Sequence, residues 1–498
     1  MKLRFPDRRA LFAGAVVLTL AACGTRVSQS EVLAGAGGST VSLDPASITA
    51  LRAAAGGGAA APASAASGAG TAGTAVVAPS GAAAAPTTTG GRTAAGSVAT
   101  TKPTSTRTPA GQARSAAAAP VAAAESGCTG AGAPLKLGQI GSFSGVAGPI
   151  TASARTALAT WVQAVNAGGG IACHPVVLYS EDDGADPSKA AALVQELVQD
   201  KGVQALVGVF SALSFQGILS GVEKAKIPVI GGDGFDLAWN ENRYLFPVGA
   251  GILGNVRGAV RQTVASGKTK AGLLYCVESS VCTNIAKIID PEVRAAGATL
   301  VYSSAVSLTQ TDFTAQCQNA KNAGAQAIGM ALDGATIGRV ARSCAAINYR
   351  PQIVTNGQVL SPQNAADPDV RRNTLSSAGS VAPWMVDDTP GQREYHAALA
   401  KYAPNAAPDA SSISAWAAGK LLEAAIKGLG AKARTAPITT ADIFTGLGTI
   451  NRETLAGLTP PITFSPGQKA APLIECVYFE LLSEKGWSAP RGSAPVCR

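Results

Sequence analysis

From residue 134 onward, short apolar runs of β type alternate with segments of helical period, and this alternation restricts the fold more than any other feature of the chain. Residues 135–140 read as a strand. Leu158, Trp161, Val162 and Val165 then recur at i, i+3, i+4 and i+7, which places them on one face of a helix. After a strand at 176–179, Asp186-Pro187 opens the next helix, with Asp as N-cap and Pro at the first helical position. Its inner face is Ala190, Val194, Leu197 and Val198. A strand at 204–208, a helix at 211–225 and a strand at 227–230 complete the first series. A second series predicts helices at 252–266, 283–296, 311–323 and 335–347 between strands at 271–275, 299–303, 326–330 and 352–354. Alternation of this regularity demands parallel sheets covered by helices on both faces, hence an α/β protein. Two series imply two doubly wound lobes. A strand beginning around 377–384 and helices near 391–402 and 411–428 return the chain to the first lobe.

Not all of the 498 residues share this pattern. Residues 24–127 are almost entirely Ala, Gly, Ser, Thr and Pro, and such a segment cannot bury enough apolar surface to offset the entropy of ordering it. The globular part is therefore 128–498. Residues 1–127 hold 10 Lys/Arg against 4 Asp/Glu, so most of the formal charge of +9 lies outside the globular part, which is nearly balanced at 30 basic against 27 acidic. Neither a basic run nor a basic-aromatic stripe is present there, which argues against nucleic-acid binding. Lys2, Arg4, Arg8 and Arg9 precede an apolar stretch at 10–20 too short to cross a bilayer, the layout of a secretory signal. Asp7-Arg8-Arg9 also resembles a twin-arginine signal. The stretch ends in Leu20-Ala21-Ala22-Cys23-Gly24, which resembles the bacterial lipobox. That resemblance implies removal of 1–22, lipidation of Cys23, and a tether at 23–127 with a reach on the order of 55 Å. Membrane contact is then through the lipid anchor only.

Nine cysteines less Cys23 leave eight, an even number in an exported chain, and this favours disulfides. Eight thiols allow on the order of a hundred connectivities. Pairing in sequence order gives Cys128–Cys173, Cys276–Cys282, Cys317–Cys344 and Cys476–Cys497. Cys128 and Cys173 precede the first two strands, and neighbouring parallel strands would bring both to the same sheet end. A metal site is disfavoured because there is no Cys-x2-Cys and the only histidines are His174 and His396. No cofactor is expected.

Several segments in order resemble the type I periplasmic solute-binding family, in particular its branched-chain amino acid and amide branch. They are Ile140-Gly141-Ser142-Phe143-Ser144-Gly145, Asn166-Ala167-Gly168-Gly169-Gly170-Ile171, Glu181-Asp182-Asp183-Gly184-Ala185-Asp186-Pro187, Ile227-Pro228-Val229-Ile230, Asp312-Phe313 and Ser414-Ala415-Trp416. The resemblance implies two lobes joined by a three-crossing hinge, lobe one near 128–249 and 382–458, lobe two near 250–381 and 459–498. It implies a non-enzymatic, monomeric component of an ABC importer that closes on a small polar solute, an amino acid or amide, and delivers it to a permease. Ligands of open α/β sheets sit beyond the carboxyl ends of the strands. The candidate contacts in those loops are Ser142, Ser144, Ser211, Ala212, Ser214, Asp233, Gly234 and Phe235 from lobe one, and Glu278, Asp333 and Gln358 from lobe two. Ser211 and Ser214, where a helix begins, are expected to hold the solute's carboxylate or carbonyl. Where the branch carries an ammonium-pairing Glu this chain has Asn356-Gly357-Gln358, which leaves Asp333, Asp233 and Glu278 as candidate partners for a cation. The usual Tyr-Gly after the first strand of lobe two is replaced by the segment 276–282.

Other readings of the same residues stand beside this one. Gly249-Ala250-Gly251-Ile252-Leu253-Gly254 matches a dinucleotide fingerprint, with Glu278 24 residues beyond, and would suit an NAD-dependent oxidoreductase. Its competing reading is a flexible crossing between lobes. A Ser-His-Asp triad would need His174 or His396, both better placed for structural roles. Trp161 and Trp416 fit a core, and Trp384 is a candidate for lining the cleft. A ligand sensor built on the same fold is a further alternative to an importer component.

Overall fold

In a computed structural model of the protein, residues 132–145, 147–373, 375–467 and 473–497 are described. The expected signal at 1–22, Cys23, the tether at 23–127 and Cys128 lie outside the described residues. The first lobe runs β1 (Leu135–Gly141), α1 (Gly148–Ala167), β2 (Val176–Asp182), α2 (Pro187–Gln199), β3 (Ala205–Val209), α3 (Phe215–Ala225), β4 (Val229–Gly232) and β5 (Leu245–Phe246). Asp186 caps α2 by accepting from Ser188 N at 2.8 Å and Lys189 N at 3.3 Å, with Pro187 beginning the helix. Among the described residues these strands form a parallel sheet in the order β2-β1-β3-β4-β5, with Leu135 opposite Val176 and Leu137 opposite Ala205.

The chain then crosses to α4 (Ile252–Ala265), β6 (Lys270–Cys276), α5 (Ser280–Ala295), β7 (Thr299–Val306), α6 (Thr314–Asn322), β8 (Ala327–Ala331), α7 (Gly334–Ala346), β9 (Gln352–Thr355) and β10 (Leu375–Gly379). The second sheet repeats the first in its order β7-β6-β8-β9-β10. Two strands that helix–strand alternation does not predict extend it: β11 (Tyr478–Ser483) and β12 (Gly486–Ser488), both antiparallel. Between β10 and β11 the chain returns to lobe one as α8 (Pro390–Tyr402), α9 (Ala410–Lys427) and α10 (Thr440–Leu447). β10 starts before the expected 377–384 and ends at Gly379, where Ser380 enters a crossing.

Each lobe has its own core. That of lobe one centres on α9, whose inward residues Ile413, Trp416, Leu421 and Leu422 are fully buried with Trp161 of α1. Gly419 is where the two helices meet: a Cβ there would lie 2.4 Å from the Trp161 ring. Trp161 Nε1 donates to Glu423 at 2.6 Å. The core of lobe two is built on Ile328, Ile337, Val340, Ile353 and Leu375 and includes the Cys317–Cys344 disulfide. Cys276–Cys282 and Cys476–Cys497 are also bonded, so these three pairs follow sequence order. Cys173 is disulfide-bonded too, and its expected partner Cys128 lies outside the described residues.

The crossings meet at Ser380. Its hydroxyl donates to Ala250 O and accepts from Asn255 Nδ2 at 2.9 Å. A Cβ on Gly249 would sit 1.9 Å from Ser380 O, and one on Gly254 would sit 2.7 Å from Ile474 O of the third crossing. Two glycines of the apparent dinucleotide fingerprint, Gly249 and Gly254, are thus accounted for by backbone packed against backbone at the hinge, and the third, Gly251, by the Asn240 side chain, which a Cβ there would meet at 2.3 Å. Both histidines hold backbone in place: His174 bridges Ala133 O at 2.6 Å and Ala433 O at 2.9 Å, and His396 contacts Asp387 and Trp384 O.

Gly419→Leu forces a side chain into space held by Trp161 and should lower stability by about 1–3 kcal/mol. A urea midpoint equal to that of the native chain would contradict this helix packing.

Candidate functional site

A parallel sheet collects the carboxyl ends of its strands along one edge, and here the two such edges border one cavity. Its volume is about 540 Å³. Lobe one contributes Ser142 after β1, Phe210 and Ala212 after β3, and Asp233 and Phe235 after β4. Lobe two contributes Cys276 at the end of β6 and Glu278 after it, Leu332 and Asp333 after β8, and Asn356 and Gln358 after β9. Ser411, at the start of α9, donates to Gln358 O at 3.5 Å and links the lobes across this edge.

Of the residues singled out from sequence, Ser142, Ala212, Asp233, Phe235, Glu278, Asp333 and Gln358 line the cavity. Ser144, Ser211, Ser214 and Gly234 are not among its lining residues. The serines answer to a carboxylate of the chain itself. Asp183 is fully buried and accepts the hydroxyls of Ser142, Ser211 and Ser214, each at 2.7 Å, and Ala185 N at 2.8 Å. These hydroxyls are therefore committed to tying β1, β2 and β3 together behind the cleft. Asp182 holds the loop after β1 by accepting Phe143 N at 2.9 Å and Ser144 N at 3.3 Å. Trp384 packs edge-on to Trp487 with ring centroids 6.2 Å apart and is not a cavity residue.

The acidic groups differ in their surroundings. Burial pushes the Asp233 carboxyl up to about 7, against the bonds it accepts from Phe235 N at 3.1 Å and Ser211 N at 3.0 Å. Glu278 is exposed. The residual cost of its desolvation is outweighed by bonds from Ser307 Oγ at 2.6 Å and Leu308 N at 2.8 Å, which hold it below the usual range. Asp333 caps α7, accepting Ala335 N at 2.9 Å, Thr336 N at 3.1 Å and Thr336 Oγ1 at 2.6 Å. Arg339, one turn on, lines the cavity with its guanidinium held by neutral oxygens: Leu308 O at 2.6 Å, Gln310 O at 2.9 Å and Thr336 Oγ1 at 2.7 Å. Asn356 Nδ2 is buried without a hydrogen-bond partner.

The sequence reading missed that the cavity does not end at the strand tips. It continues into lobe two between β6 and β8 below and α4 and α5 above, where Val256, Val260, Val264, Ile285, Ile289 and Val293 line it. The periodicity of these residues reads as an ordinary core face. The available signal was the alternate row Ala327, Gly329 and Ala331 in the middle strand of the sheet, where large side chains are the rule.

A family model described as periplasmic binding protein matches residues 134–479. No curated protein matches the chain in sequence. Solved structures share the fold. A fatty acid ABC transporter substrate-binding protein from Thermomonospora curvata is 17% identical, with a TM-score of 0.63 over 76% of this chain and 97% of its own. A branched-chain amino acid ABC transporter protein from Thermus thermophilus with bound valine is 14% identical, with a TM-score of 0.64 over 74% and 97%. A solute-binding protein from R. palustris in complex with benzoate is 16% identical, with a TM-score of 0.59 over 73% and 98%.

Asp233 and the pH dependence of stability are linked. Its proton is retained in the folded chain between its unfolded value, near 3.8, and about 7. The stability it contributes is complete below about pH 4 and is lost as pH rises through about 7. Asp233→Asn should make the fall in stability across that window shallower, by up to ~1.4 kcal/mol per pH unit. Denaturant titrations at pH 5 and pH 8 that give the same difference for both proteins would remove Asp233 from the account.

Proposed function

The chain belongs to the periplasmic binding protein family, and on that premise we propose that it is the extracytoplasmic solute-binding component of an ABC importer, held at the membrane surface by a lipidated Cys23 and the tether at 23–127. It binds one small solute between its lobes, performs no catalysis, acts as a monomer and presents the loaded form to a permease. The observation that carries this reading is the cavity bordered by strand ends of both lobes, since only such a site is completed when the lobes close.

The polar groups favour a solute that carries a carboxylic acid or amide. Three residues that line the cavity, Asn356, Asp233 and Arg339, offer donors to its oxygen: Asn356 Nδ2 is buried without a partner, the Asp233 carboxyl keeps its proton up to about 7, and Arg339 carries a guanidinium. An ammonium is less well served. Asp333 already accepts three donors, and a carboxyl titrating near 7 is a weak partner for a cation. The structural relatives fit this choice, since the names of two of them record benzoate and a fatty acid, acids without an ammonium, beside one with valine.

A thermal-shift panel of monocarboxylic acids, primary amides and amino acids tests the reading. A cognate solute at 100 times its Kd should add about 2.7 kcal/mol of stability. If none of the three classes shifts the transition at millimolar concentration, the assignment of the cleft fails. The anchor is tested separately. Cys23→Ala should leave the protein unlipidated and release it to the medium, whereas retention in the membrane fraction at the native level would refute the lipid attachment.

A further inference from the structure

We infer that the arm of the cavity inside lobe two is a channel for a hydrocarbon tail, so that the solute is an amphiphile: a polar head at the strand ends and an unbranched aliphatic chain running between the sheet and the helices α4 and α5. The inference rests on the reading of the cleft as the solute site and names the class of solute that site takes.

The channel has a floor, a roof and a direction. Its floor is the interior strand β8, whose Ile328 and Met330 belong to the core of lobe two and whose Ala327, Gly329 and Ala331 line the cavity. A glycine in a central strand weakens it and calls for a reason. Gly329 has neither of the usual ones. Its φ is not positive, and a Cβ added there would meet Leu273 Cδ1 at 3.4 Å and Gly272 O at 3.6 Å, ordinary contacts. The backbone would accept a side chain, so what the glycine preserves is the space above it. Gly329 and Ala331 are accordingly half-exposed in the middle of a sheet whose neighbouring strands and covering helices would otherwise bury them.

The roof is held away from the floor by its own packing. α4 docks through glycines on another of its faces: a Cβ on Gly258 would lie 2.4 Å from Val477, and Gly254 abuts Ile474 O. The helix is thereby drawn toward the third crossing; Val260 packs with Leu273 of β6 and with Ile289 and Val293 of α5, and Val256, Val260 and Val264 line the cavity together with β8. The channel opens at the carboxyl end of β6, beside Cys276, and reaches Lys268 and Ala298 at the other end of that strand. Seven residues of extended strand span roughly 20 Å. Protein interiors are close-packed, and a cavity lined by aliphatic groups offers water too few partners to hold it open. A tail of matching length satisfies the lining and adds no polar group to it.

Calorimetry on the native full chain with n-alkanoates from hexanoate to hexadecanoate tests the inference. Affinity should climb about three- to fourfold with each added methylene until the channel is full. Gly329→Leu blocks the channel near its middle and Ala327→Leu nearer its far end, so the chain length at which affinity stops rising should be shortest for Gly329→Leu, intermediate for Ala327→Leu and longest for the native protein. Hexanoate should bind all three alike, which also reports that the variants are folded. Affinity independent of chain length, or three identical ceilings, would overturn the channel while hexanoate binding left the cleft assignment standing. Failure of every alkanoate to bind the native protein would overturn the channel too, and the cleft assignment would then rest on the amide and amino-acid arms of the thermal-shift panel.

Discussion

Parallel strands all point one way, and that constraint generates the site. A strand that ends at the cleft must be followed by a helix that returns along the sheet, so every loop between them is delivered to the same edge. Each lobe does this with the order 2-1-3-4-5, and the cavity lies where the two edges are brought together by crossings that meet at Ser380. The close approach of Gly249 to Ser380 O leaves no room for a Cβ at 249, and the Ser380 hydroxyl bonds to Ala250 O and Asn255 Nδ2 beside it. The lobes are therefore coupled through these crossings, while their cores remain separate.

Asp183 gives lobe one its fixed edge. A buried carboxylate is costly unless its lone pairs are taken up, and here three hydroxyls and a backbone N–H take them up. The result is that β1, β2 and the loop after β3 are locked to one another directly behind the cleft. The corresponding loops of lobe two are held from more exposed positions, by Glu278 accepting Ser307 Oγ and Leu308 N and by Arg339 donating to Leu308 O and Gln310 O, and aliphatic side chains line the cavity between sheet and helices. One lobe presents a rigid polar rim, and the other an apolar interior that leads away from it.

Much of the fold was legible in the sequence because it is written in local signals. The Asp186-Pro187 cap, the apolar spacing of α1 and the pairing of each bonded cysteine with the next in sequence each depend on residues near one another in the chain. β11 was not legible because Glu480 interrupts its apolar run. Burial pushes that carboxyl up to about 7 and lets a strand carry it inside. The roles of Ser211 and Ser214 were not legible either, since a serine at a helix start looks the same whether it awaits a ligand or answers to Asp183, 28 and 31 residues away. The channel was hidden for a different reason. Volume is set by how far α4 stands from β8, and that distance depends on glycines at 254 and 258 packing against a crossing more than 200 residues later.

The Cys276–Cys282 disulfide closes the turn between β6 and α5, and both cysteines border the cavity. A short loop at the mouth of a binding site is ordinarily a mobile one, and its ordering is subtracted from the affinity of whatever binds. Here a covalent bond restricts it before any solute arrives. Oxidation in the compartment outside the membrane thus completes part of the receptor's preorganisation, and the free energy of binding is left for the solute's own desolvation rather than for stiffening the rim.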